Sequence, residues 1–190
     1  MNVAPAPAES MLRTALEAWA DSEGALTAVL DELPVATYIT NLDGLVSYFN
    51  RACLALAGRN PVVEQDRWCI TWKLYTLDGV FLPHDASPMA LAVRERRAVR
   101  GVEALAERPD GSRIRFVPYP TPLLDKSGEM VGAINLLEDV TEQRHVEALR
   151  SQASRCRRLA RGMVDARTVD TLTGMATDYE AQAASIVGAN

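Results

Sequence analysis

The chain contains only two histidines, His84 and His145, and three cysteines, Cys53, Cys69 and Cys156. Neither histidine lies near a nucleophile motif, which removes Ser/His/Asp and Cys/His catalytic sets. The cysteines are odd in number and have no CxxC spacing, so they read as reduced, buried thiols and not as a disulfide framework or a zinc site. The phosphate-cradling GxGxxG and GxxxxGK[ST] loops and the metalloprotease HExxH helix do not occur. No apolar run approaches the ~20 residues needed to span a bilayer. The first ten residues, MNVAPAPAES, lack the basic and apolar regions of a signal peptide, so the cytosol is the expected compartment. Carboxylates are plentiful, but most fall at turns or on helix faces, where solvation is their ordinary role. These absences point away from an enzyme.

At 190 residues, 48% apolar and 24% charged, the chain has globular composition and can form one domain with helical extensions. Its net charge of −5 weighs against nucleic acid as a bulk partner. The most informative stretch is Gly101 to Thr141, which holds three runs of strand-like alternation, Val102–Arg108, Arg113–Leu124 and Met130–Glu138. Pro109-Asp110-Gly111 and Asp125-Lys126-Ser127-Gly128 separate them, and Gly supplies the positive φ that tight hairpin turns demand. The expected product is an antiparallel meander. Alternation places Ile114, Phe116, Pro118 and Pro120 on one face, and Arg113, Arg115, Val117 and Tyr119 on the other. In the last run Val131, Ala133, Asn135 and Leu137 oppose Gly132, Ile134, Leu136 and Glu138. Apolar residues on both sides require both faces to be covered.

Residues 1–9 read as a disordered tail and residues 10–32 as an N-terminal helical cap. Within it a helix capped by Ser10 carries Leu12, Ala15, Leu16 and Trp19, and a shorter one runs from Ser22 to Asp31. This amphipathic segment should dock on the outer face of the sheet. Strands are expected over Val35–Thr40 and Leu45–Phe49 around the Asn41-Leu42-Asp43-Gly44 turn, then a short helix Arg51–Ala57 capped by Asn50 and ended by Gly58. The signal from Pro61 to Tyr75 is mixed. Ser87 and Pro88 suit the cap and first position of a helix with Met89, Ala92 and Val93 inward. The expected class is α+β, a five-stranded antiparallel sheet with short helices on one face enclosing a small apolar space. After Glu138, Asp139 and Thr141 offer caps for a long helix to Met163. Val146, Leu149, Ala153, Cys156, Leu159 and Met163 lie close to a coiled-coil seam. Gly162 and Asp165 suggest a break before a last helix, about Thr168 to Val187. The two stripes pair as a hairpin or with another chain.

The turn Asn41-Leu42-Asp43-Gly44, Phe49-Asn50-Arg51-Ala52, Leu56-Ala57-Gly58-Arg59, Arg108-Pro109-Asp110-Gly111-Ser112, Pro122-Leu123-Leu124-Asp125 and Asp139-Val140-Thr141, in that order and spacing, resemble a PAS domain over roughly Leu33 to Thr141. LPHDASPMALAV and RIRFVPYPTPLLD are similar to PAS sensor domains ahead of bacterial histidine kinases. The resemblance implies residues 33–141 as a PAS domain with residues 142–190 as a helical hairpin or coiled-coil-like tail, a stand-alone protein that acts through partners. It implies the PAS fold, and haem, flavin or small metabolites as ligand classes. The flavin photosensors carry an Asn-Cys-Arg motif, whereas this chain has Pro61 after Gly58-Arg59-Asn60, which argues against that photochemistry. Haem-binding members place a histidine on the helix that here begins at Pro88, and this helix has none, although His84 precedes it. The cofactor therefore stays unknown and no metal is expected. A small ligand would be lined by Phe116, Asn135, Leu137, Met89, Val93, Ala104, Ala106 and Pro118. Asn135 is the most informative, because an amide on an apolar inner strand must find a partner, either ligand or protein.

These readings assemble into a non-catalytic sensory or interaction protein of two-component signal transduction, cytoplasmic and homodimeric. It senses a ligand or docks on a partner such as a histidine kinase, with Asp139 and Thr141 relaying to the tail. The alternatives are a ligand-free dimerisation scaffold, or a DNA-binding regulator acting through Arg144, Arg150, Arg155, Arg157, Arg158, Arg161 and Arg167. Against the last, the arginines come without a base-recognition pattern.

Overall fold

The Asn41–Gly44 and Asp110–Gly111 turns close hairpins where the flanking alternation asks for them. Gly44 and Gly111 adopt φ of +82° and +83°. The Asn41 side chain accepts from the Leu45 amide, and the Asp110 carboxylate accepts from the Ser112 amide. The computed structural model describes residues 7–188, which fall into two units, Met1–Asp139 and Val140–Asn190.

The first unit runs α1 (Pro7–Asp21), α2 (Glu23–Glu32), β1 (Ala36–Asn41), β2 (Val46–Phe49), α3 (Ala52–Ala57), β3 (Lys73–Tyr75) and β4 (Phe81–Leu82). A single 3-10 turn (His84–Ala86) then leads to α4 (Pro88–Glu95), β5 (Ala104–Glu107), β6 (Arg113–Pro118), β7 (Thr121–Leu124) and β8 (Met130–Asp139). One antiparallel sheet has the order β2-β1-β8-β6-β5-β3-β4, with β7 also paired to β8. The α+β class holds, but five expected strands become eight among the described residues. Pro120 has no amide proton for the ladder, so the run Arg113–Leu124 breaks into β6 and β7 around Tyr119 and Pro120. The other additions, β3 and β4, are three and two residues long, too short to impose a period.

The two faces carry separate cores. Inside are Tyr38, Leu74, Met89, Ile114, Phe116 and Leu137 with α3 and α4. Outside, Ile134, Leu136, Tyr119 and Leu123 pack against Leu12, Ala15, Leu26 and Leu30 of α1 and α2, the docking expected of the N-terminal segment. Leu26 and Leu30 are fully buried, and each contributes roughly 1.5–3 kcal/mol. Val131 departs from the expected inner face. A register irregularity between Leu123 and Leu124 turns it to the outer side, beside Leu26 and Ile39.

Helix starts follow cap chemistry. Ser22 and Ser87 accept from the Ala25 and Ala90 amides, and Pro88 opens α4. α1 starts at Pro7 and not at Ser10, because proline suits a first turn and Ala8 is already buried with Leu12. Of the tail expected over 1–9, residues 1–6 lie outside the described residues. Asn50 does not cap α3 with its side chain, since the cap position is Arg51. Its amide is used elsewhere: Nδ2 donates to the carbonyls of Leu30 (3.0 Å), Val35 (2.9 Å) and Leu33 (3.3 Å), and Oδ1 accepts from the Thr37 amide (3.0 Å). One buried side chain thus ties the end of α2 to the start of β1.

In the second unit α5 (Thr141–Arg161) and α6 (Ala166–Val187) form a hairpin within one chain. Val146 and Leu149 meet Ala183, while Ala153 and Cys156 meet Ala176. Asp165 caps α6 by accepting from the Thr168 amide at 2.8 Å. The cap of α5 is Val140, which has no side-chain acceptor, so neither Asp139 nor Thr141 takes that position.

Candidate functional site

The eight candidate ligand-lining residues lie toward the inner face of the sheet because alternation on β5, β6 and β8 and the i, i+4 spacing of Met89 and Val93 on α4 turn them to one side. Ala104 pairs with Phe116, Ala106 with Ile114 and Pro118 with Leu137. Met89 and Val93 of α4 share the inner buried cluster with the small side chains of β5. Phe116, Leu137, Met89, Val93, Ala104 and Ala106 belong to one buried cluster. Pro118 and Asn135 are buried as well. The enclosed space is therefore occupied by the domain's own side chains.

Asn135, 2% exposed, has protein partners at both ends of its amide. Its Oδ1 accepts from the Tyr119 amide at 3.0 Å, and its Nδ2 donates to the Tyr38 hydroxyl at 3.1 Å. Tyr38 in turn donates to the Trp68 carbonyl at 3.0 Å. This polar chain crosses the interior from β8 through β1 to the segment before β3. Burial first, and Cys69 second, hold the Tyr38 phenol well above its usual range, so it stays a neutral donor. Burial likewise pushes the Cys53 thiol up to about 12, despite contacts to the Asn50 side chain and the Thr37 carbonyl. Cys69 is raised by burial too, with its sulfur 3.1 Å from the Thr71 hydroxyl. Neither is a nucleophile at neutral pH. An apolar or aromatic group would enter this site only by displacing these side chains, and the hydrogen-bonding groups it would meet there are neutral. Among the described residues no group of three or more His, Cys, Asp or Glu side chains is placed to hold a metal ion.

Sequence reasoning missed Tyr38, Trp68 and Cys69. For Tyr38 the signal was present, because alternation from Ala36 puts it on the inner face. Trp68 sits at φ +66°, which no propensity anticipates. Asp139 ends β8 opposite Phe116, and Thr141 begins α5. A surface depression of about 390 Å³ brings Asp139 and Leu137 together with Ala52, Ala55, Leu56 and Arg108. The Arg108 guanidinium donates to the Leu56 and Ala55 carbonyls at 3.0 and 2.9 Å, closing the end of α3.

His84 stands in the 3-10 turn before α4, and its Nε2 is buried without a hydrogen-bond partner. Burial, then the Arg59 charge, depress its pKa below the ordinary 6.5. The unfolded chain therefore binds the proton first, so the contribution is complete above about pH 6.5 and is lost as pH falls toward the folded value. Thermal melts from pH 7.5 to 5 should show this decline, and His84→Gln should flatten it. A parallel decline in the variant assigns the effect to other groups.

A family model described as PAS domain matches residues 34–142, more than half of the chain. The PAS domain of the fruit-fly ELK potassium channel superposes with a TM-score of 0.51 at 12% identity, covering 62% of this chain and 96% of that one. A PAS domain of a protein from Colwellia psychrerythraea gives 0.42 at 20% identity, with coverages of 61% and 94%. An RNA-binding light-oxygen-voltage receptor gives 0.47 at 24% identity over 63% of this chain, which spans only a third (33%) of that receptor's chain. No curated protein matches. Among the described residues no helix is long and apolar enough to cross a membrane. The sheet order, the helices on its inner face and the extent of the family match together establish that the chain belongs to the PAS domain family of signalling sensor and interaction modules.

Proposed function

We propose that the chain is a non-catalytic PAS sensor of bacterial two-component signalling, cytoplasmic, which binds a small ligand or a partner such as a histidine kinase. Asp139 and Thr141 pass the change to α5, and the helical extensions pair two copies or dock the partner. The carrying observation is the buried chain Tyr119–Asn135–Tyr38–Trp68. It is anchored on β8 four residues before that strand ends, so a group that displaces the Asn135 amide pulls on the strand that continues into α5. The likeness of LPHDASPMALAV and RIRFVPYPTPLLD to sensor domains ahead of histidine kinases supports the setting. A ligand that binds only the folded chain raises its melting temperature by mass action, by an amount that grows with concentration.

Native mass spectrometry with an absorbance spectrum of the purified chain, followed by melting against the molecule recovered, tests the sensor reading. A bound small molecule with a concentration-dependent melting rise supports it. Asp139→Ala should leave the melting temperature within about 2 °C, since it is one residue at a strand end. It should also abolish the ligand's effect on hydrogen exchange in α5. An intact effect removes the relay.

The packed interior favours a second reading, a ligand-free dimerisation scaffold. Absence of any bound or stabilising small molecule, with a stable dimer, selects it.

A further inference from the structure

We propose that a groove on the outer face of the PAS unit receives the basic tip of the α5–α6 hairpin of a second copy of this chain. This deepens the pairing of copies proposed above and rests on it. Two adjoining depressions, about 380 and 420 Å³, share Trp19, Glu23 and Asp125. Ile39 and Val131 supply an apolar lining over the buried Leu26 and Leu123, and Leu124 is half exposed beside them. Trp19 is fixed as a wall, because its indole N–H donates to the Leu124 carbonyl at 2.5 Å. Asp21 and Glu23 line the groove with acid, joined by Asp125, one oxygen of which is engaged in its own turn, against one cation in that lining, Lys126. From Pro7 to Glu32 there are six carboxylates and a single arginine, Arg13.

The hairpin tip has the opposite character. Leu159 and Met163 are 43% and 45% exposed, and Val164 is fully exposed. Large apolar side chains gathered at one exposed place mark an interaction surface. Around them, Arg155, Arg158, Arg161 and Arg167 have no acidic partner among the described residues, whereas Arg157 pairs with Glu180 at 2.6 Å. The one carboxylate between Ala148 and Val169 is Asp165, and it is engaged in capping α6. An apolar tip ringed by arginines fits an apolar groove ringed by carboxylates. The opposite charges set orientation and encounter rate while the apolar contact supplies burial. Two such contacts, made reciprocally, close a two-fold dimer without exposing further groove or tip.

The full chain should sediment as a dimer in 50 mM salt, and its dissociation constant should rise steeply with salt. Asp21→Lys/Glu23→Lys and Arg158→Glu/Arg161→Glu should each keep the circular dichroism of the wild type and weaken dimerisation by at least about tenfold. Mixing the two charge-reversed chains should restore association, since one reversed groove then meets one reversed tip. A dimer that survives both reversals overturns this docking while leaving pairing through another surface intact. A monomer at all concentrations overturns both. If the arginine variant keeps its oligomeric state but loses salt-steep retention on duplex DNA, the tip is a nucleic-acid contact and the proposal fails.

Discussion

Replacing Asn50 with alanine is expected to lower the melting temperature by roughly 10 °C and to release the N-terminal helices before the rest of the domain opens. The side chain is 1% exposed and satisfies the carbonyls of Leu30 and Val35 and the amide of Thr37, with Leu33 more distantly. Alanine leaves those groups buried and unpaired at about 1–3 kcal/mol each, partly relieved by water, for a total of about 3–5 kcal/mol. Two of the three carbonyls lie between the end of α2 and β1, so the loss concentrates there. Hydrogen exchange should accelerate first in Leu26–Leu33, ahead of β8. Asn50→Asp should be at least as damaging, because a carboxylate would face the same carbonyls. Unchanged exchange in Leu26–Leu33, with a melting shift under about 2 °C, would show the amide to be dispensable.

Gly44→Ala should cost about 3 kcal/mol, from two sources that add. At φ +82° a Cβ carries about 1–2 kcal/mol of backbone strain. The same Cβ would stand 2.3 Å from the Trp68 ring, and that ring is packed against the inner core, so displacing it adds an overpacking term of about 1–3 kcal/mol. The Trp68 amide also donates to the Gly44 carbonyl at 2.7 Å, so ring and turn move together. A red-shifted tryptophan emission in the folded protein should accompany a melting temperature lower by roughly 5–10 °C. Gly24→Ala is the control. Nothing lies within 4 Å of its added Cβ, and at the second position of α2, in its first turn, alanine should be neutral or stabilise by less than about 1 kcal/mol. Equal effects at the two glycines would remove the Trp68 contact as the cause.

The parts of the fold that could be read beforehand were those where local chemistry and burial agree. Asp110-Gly111 and Asp125 through Gly128 close their turns with the Asp side chain on the amides of Ser112, Ser127 and Glu129, so the antiparallel meander followed from short-range signals, except for the break of its middle run into β6 and β7. The opposite faces of Phe116 and Val117, and of Leu137 and Leu136, followed from strict alternation. What escaped were choices made by distant partners. Asn50 looked like a helix cap because its alternative acceptors lie 15 to 20 residues earlier in the chain. Val131 changes sides through an irregularity in the β7–β8 register that neither strand encodes alone. The burial of the eight inner-face residues was legible, but the polar thread among them was not. Tyr38 reaches Asn135 across 97 positions of sequence, and the Trp68 carbonyl is aimed by a left-handed backbone.

β8 is laced to β1 along one flank and to β6 and β7 along the other. A pull on its C-terminal end, directed along the strand, loads both ladders in shear, so many bonds must yield together. The same pull on β4, held by two residue pairs at the margin, unzips them one after the other. In a single-molecule tether the strand that leads into α5 is thus a stiffer handle than β4, and tension placed there is carried into the interior and not dissipated at its border.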